Sequence, residues 1–122
     1  MPIRMEAKLT GAARGVFRQR SGDRGDADSA KVFFMIRRRV LISGRVQGVS
    51  FRDACHRVAT EQGVAGWVRN LGDGRVEAVF EGPAEQVDRM VEWVHEGPRL
   101  ADVVDIAVQT EPAQGLTGFV VH

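Results

Sequence analysis

Two segments of this chain, about residues 51–62 and 84–95, each carry one apolar stripe at helical spacing, and short runs of alternating apolar residues surround both. Phe51, Ala54, Cys55, Val58 and Ala59 share one helical face; Val87, Met90, Val91 and Val94 share another. A chain of 122 residues has material for one core, so both stripes must be buried against the same surface. The strand-like runs supply it. Val40, Ile42 and Gly44 alternate with Leu41, Ser43 and Arg45 from Arg38 onward, and a second strand runs from about Ala65 to Asn70. Gly72-Asp73-Gly74 turns the chain back into a third, with Val76, Ala78 and Phe80 on one side, which makes a hairpin. Val104, Ile106 and Val108 alternate with Val103, Asp105 and Ala107 in a fourth, and residues 118–122 form a short last strand. Gly63, Gly82-Pro83 and Gly97-Pro98 punctuate the elements. The order βαββαβ plus one strand predicts an α+β, ferredoxin-like sandwich: a mainly antiparallel sheet with both helices on one face.

Where the first strand gives way to the first helix, the sequence reads Gly44-Arg45-Val46-Gln47-Gly48-Val49-Ser50-Phe51-Arg52. A strand that breaks into a small-residue loop and enters a helix is the layout of an anion cradle. Gly48 permits close backbone approach, the N–H groups of the loop and helix start point outward, and the macrodipole favours negative charge there. Arg52 adds a planar fork suited to phosphate or carboxylate oxygens. Ser50 and Asp53 have the spacing of a capping box. Asn70, at the end of the second strand, offers a side-chain amide. Loop, arginine and amide together point to chemistry on a phosphorylated small molecule.

Residues 1–34 read differently. They hold seven Lys/Arg against four Asp/Glu, leaving ten against twelve for residues 35–122. The basic excess therefore lies outside the patterned region, which argues against a nucleic-acid partner. Gly, Arg, Asp and Ser crowd the piece 14–30 without sustained periodicity, so residues 1–34 are expected to be a flexible, disordered leader and 35–122 the folded domain. No apolar run approaches the ~20 residues of a membrane span. Cys55 is the lone cysteine and sits in the first apolar stripe, which predicts a buried core residue in a reducing, cytoplasmic setting. His56, His95 and His122 lack metal-ligand spacing, so no metal or other cofactor is expected.

The run GRVQGVSFR, the segment GWVRN, the turn DGRVE, the two Gly-Pro pairs and the terminal GFVV stand in an order and spacing that resemble the acylphosphatase family over residues 38–121. The resemblance implies a monomeric, metal-independent hydrolase that cleaves acyl phosphates to a carboxylate and inorganic phosphate without a covalent intermediate. It further implies that Arg52, with backbone amides of the loop Gln47, Gly48, Val49, Ser50 and Phe51, binds the phosphoryl group, and that Asn70 positions the attacking water. Inorganic phosphate or sulfate would then be product-like ligands. The chemistry agrees: carboxylate departs without needing a proton, so the site must supply charge neutralisation and an aligned water.

Other polar residues take structural readings. Arg69 alternates away from Asn70 toward solvent. Arg37-Arg38-Arg39 reads as a solvated strand edge, and Trp67 and Trp93 as core or rim packing. Ending in Val121-His122, where relatives often end in an aromatic residue, leaves the packing of the last strand open. Two rival functions follow from the same fold. One is a binding or regulatory module, against which Val40, Ile42, Val76 and Ala78 offer none of the aromatics of an RNA-binding sheet. The other is an accessory domain like that of larger hydrogenase-maturation proteins.

Overall fold

In the computed structural model, which describes residues 34–122, the patterned segments become β1 (Met35–Arg45), α1 (Phe51–Gln62), β2 (Ala65–Asn70), β3 (Val76–Pro83), α2 (Ala84–Glu96), β4 (Asp102–Glu111) and β5 (Phe119–Val121). The leader expected at 1–34 lies, apart from Phe34, outside the described residues. The strands form one sheet in the order β4-β1-β3-β2-β5, antiparallel throughout except for the β2–β5 pair. This is the ferredoxin-like arrangement, with β5 added beside β2.

Alternation explains the core. Val40 and Ile42 of β1, Val68 of β2, and Val76, Ala78 and Phe80 of β3 turn to the helical side. There they meet Phe51, Cys55 and Ala59 of α1 and Val87, Met90 and Val94 of α2. Cys55 is fully buried, and burial pushes its thiol pKa well up, so it is a small apolar packing residue. Gly66 is required by close approach: a Cβ there would meet the Val79 carbonyl oxygen at 1.8 Å. A side chain at 66 would push β2 and β3 apart.

Two expectations about strands need correction. The fourth strand is bulged: the register with β1 shifts between Ser43, opposite Asp105, and Gly44, opposite Val103. Val104 is the extra residue and stands 73% exposed, while Val103 joins Ile106 and Val108 against the core. The arginine triplet is not a solvated edge either, because β1 is an interior strand flanked by β4 and β3. Arg37 is buried and bonds Glu81 and Glu111. Arg39 bonds Glu77 and Glu111, both at 2.6 Å. These residues cover the sheet face opposite the helices.

That placement also corrects the argument from missing aromatics. Val40, Ile42, Val76 and Ala78 face the helices, and the open face displays Trp67 instead. The guanidinium groups of Arg39 and Arg69 lie over its ring at 5.6 and 5.2 Å. Arg69 does turn away from Asn70, but it is held by Glu77 rather than left to water. Among the described residues, no helix is long and apolar enough to cross a membrane.

Candidate active site

The loop after β1 and the first turn of α1 face the end of β2 across a pocket of about 120 Å³ lined by Val46, Gly48, Ser50, Phe51, Arg52, Asp53 and Asn70. Three separate features of the sequence thus meet in one place. The strand brings the chain to the sheet end, Gly48 turns it at φ 78°, and Ser50 turns it again at φ 64° before α1 begins.

Ser50 does not form the capping box expected of it. Capping needs an extended Ncap backbone, and in the left-handed conformation the Ser50 hydroxyl makes no cap hydrogen bond. Only the Ser50 carbonyl takes part, accepting from Ala54 N–H at 3.1 Å. The consequence favours an anion: N–H groups that a side chain would have satisfied stay open toward the pocket. From Gln47 to Ser50, no backbone N–H finds a backbone acceptor among the described residues.

Of the loop residues expected to contribute, Gly48, Ser50 and Phe51 line the pocket. The Phe51 ring is buried and packs against Trp93 at 5.5 Å, which leaves its backbone as the part that can offer a hydrogen bond to a ligand. Val49 is buried and Gln47 does not reach the pocket wall. The Gln47 side chain points to the β2–β3 turn, where its Nε2 donates to the carbonyls of Leu71 at 2.8 Å and Arg75 at 3.0 Å.

Arg52 is partly exposed, and its Nη1 donates to the main-chain oxygen of His122 at 2.6 Å. Among the described residues it makes no other hydrogen bond or ion pair, so its remaining donors are available to a ligand. The tether depends on the last strand. His122 N–H donates to Val68 O at 2.9 Å and its ring meets Trp67 edge-on, so the Val121-His122 ending packs beside β2. Asn70 is exposed, and its carboxamide has no partner among the described residues. Asp53 is the unexpected wall residue: a carboxylate one position from Arg52, without an ion pair among the described residues. Among those residues, no group of three His, Cys, Asp or Glu side chains forms a metal cluster.

A family model described as acylphosphatase matches residues 38–121, the whole of this pocket included. The chain belongs to the acylphosphatase family. An acylphosphatase of Rubrobacter xylanophilus is 61% identical over 77 residues, which are 63% of this chain and 70% of that one. One from Haloarcula marismortui is 55% identical over 86 residues, 70% of this chain and 94% of its own. The solved structure of an acylphosphatase from Coxiella burnetii superposes with a TM-score of 0.72 at 34% identity, covering 75% of this chain and 97% of that chain.

Proposed function

We propose that this acylphosphatase-family chain hydrolyses the carboxyl–phosphate bond of small acyl phosphates at the pocket between the 46–52 loop and Asn70. Arg52 and the open N–H groups of the loop hold the phosphoryl oxygens, and Asn70 orients the water. Water attacks phosphorus in line while the bond to the carboxylate oxygen breaks. The carboxylate leaves with the electron pair, and the water's surplus proton passes to a phosphoryl oxygen, leaving dihydrogen phosphate, which loses a proton to solvent near neutral pH. Charge spread over the phosphoryl oxygens is met by donors already fixed in place. The observation that carries this reading is the sharing of one pocket by Arg52 and Asn70, each with unspent hydrogen-bonding capacity.

The reading extends to organisation. Residues 35–122 carry the activity, 1–34 are a leader dispensable for it, and the enzyme works as a cytoplasmic monomer without metal. Hydrolysis of benzoyl phosphate in EDTA, by the full chain and by 35–122, tests this. Equal turnover by both, with competitive inhibition by inorganic phosphate or sulfate, is expected. No turnover above buffer by the full chain overturns the enzymatic reading; activity lost only in the shorter form overturns the assignment of the leader.

Asn70→Ala is expected to lower kcat about 10- to 100-fold, the scale of a misaligned nucleophile. The inhibition constant for phosphate should hardly move, because the anion is held by Arg52 and the loop. Wild-type turnover in this variant would remove Asn70 from the mechanism.

A further inference from the structure

The loop that would hold phosphate and the strand end that would hold the water belong to different parts of the chain, and something must fix the distance between them. Asn70 is followed at once by a turn of low intrinsic rigidity, Leu71 to Arg75, with exposed Gly72 and Gly74 inside it. The turn closes on itself through Leu71 N–H to Arg75 O at 2.8 Å and Gly74 N–H to Leu71 O at 3.2 Å. Its link to the phosphate side is the carboxamide of Gln47, which reaches 24 and 28 residues along the chain to the same two carbonyls, Leu71 O and Arg75 O. Since both partners can only accept, the group facing them must be the NH2, with one proton for each. The carboxamide therefore grips both sides of the turn's neck, one residue beyond Asn70.

We propose that Gln47 is a positioning residue, whose side chain locks the β2–β3 turn to the phosphate loop and so sets where Asn70 holds the water. Gln47 itself stays off the pocket wall, next to Val46 and Gly48 that line it, and its side chain serves the opposite side of the site. The inference rests on the roles proposed above for Arg52 and Asn70. It also accounts for the residue type. A glutamate of the same shape would turn a carboxylate toward two carbonyl oxygens, and a methionine would fill the space with no donor.

The test is a double-mutant cycle on benzoyl phosphate hydrolysis, with inorganic phosphate as the binding probe. Gln47→Met is expected to lower kcat about tenfold, as a slightly displaced reactant does, with the phosphate inhibition constant close to wild type. In an Asn70→Ala background the same change should cost kcat almost nothing further, since the group being positioned is gone. A purely structural role would lower stability alike in both backgrounds and leave this coupling absent. Should Gln47→Met fail to fold, Gln47→Asn serves in the same cycle: it keeps an NH2 that reaches the carbonyls through a water, and its expected loss of kcat is smaller, with the same coupling. The proposal is overturned if the variant keeps wild-type kcat, if its effect is the same with and without Asn70, or if it acts by weakening phosphate binding. Failure of the underlying reading is distinguishable, because wild type would then not turn over or Arg52→Ala would remain active.

Discussion

Arg52→Ala is expected to lose roughly 10²- to 10³-fold or more of kcat/KM for benzoyl phosphate, the cost of deleting the charge stabiliser proposed for this phosphoryl-transfer site. The guanidinium does two things at once. Nη1 is spent on the His122 oxygen, which restrains the fork, and the other donors of this pocket-lining residue have no partner among the described residues. Removing it takes away the only cationic side chain lining the pocket among the described residues, leaving Asp53 as the one charged side chain of that set there. The variant should bind inorganic phosphate more weakly as well, in contrast to Asn70→Ala. Arg52→Lys should not restore the rate, because an ammonium is a point charge that cannot present a planar pair of donors while holding the His122 tether. Thermal unfolding should barely change, since Arg52 is partly exposed and makes a single hydrogen bond among the described residues. An Arg52→Ala enzyme within tenfold of wild type would exclude the guanidinium from the reaction.

The strand-to-helix passage carrying Arg52 was legible because it is local. A period of two yields to a small-residue loop and then to a period near 3.6 within a dozen residues, and the backbone consequences follow directly. Asn70 was legible for the same reason, as the residue where an alternating run meets a glycine turn. What could not be read depends on partners far along the chain. Gln47 looked like one more loop residue, since nothing near it announces the Leu71 and Arg75 carbonyls. His122 looked like a weak chain end, although its main-chain oxygen orients Arg52 from 70 positions away. The left-handed backbone at Ser50 left no local sign, because serine at that spacing ordinarily caps. Strand order is likewise invisible to periodicity. Three successive arginines fit an edge equally well until β4 and β3 are found on either side of them.

Glu81→Ala is expected to destabilise the fold by about 3–5 kcal/mol, the range for removing one partner of a buried ion pair. Glu81 is 2% exposed on the sheet face away from the helices. One carboxylate oxygen takes Arg37 Nη1 at 3.2 Å; the other accepts the backbone N–H groups of Gln114, Gly115 and Leu116 at 2.9, 2.5 and 3.2 Å. Alanine would leave three main-chain donors without their acceptor and Arg37, itself buried, with Glu111 as its one remaining carboxylate among the described residues. Those donors sit in the connection from β4 to β5, on the way to the His122 oxygen that holds Arg52, so loss of activity should accompany loss of stability. Glu81→Gln should cost less, as its amide oxygen can still accept from the loop. Urea unfolding measures both, and a loss under about 1 kcal/mol for alanine would show that water or the loop compensates. The same carboxylates dictate the acid limb. Burial alone would raise the pKa of Glu81, but the loop N–H groups and Arg37 outweigh it and the net direction is down. Glu77 is likewise lowered, its burial outweighed by Arg69 and Arg39, and Glu111 is lowered by Arg39 and Arg37. Folded pKa values below the unfolded value of about 4.3 mean that this stability is fully present above that value and drains away as pH falls through the lowered ones. Wild-type unfolding free energy should thus hold level from neutrality to about pH 5 and decline below it. In Glu81→Ala the decline should be shallower, because one of the carboxylates whose protonation drives it is no longer there.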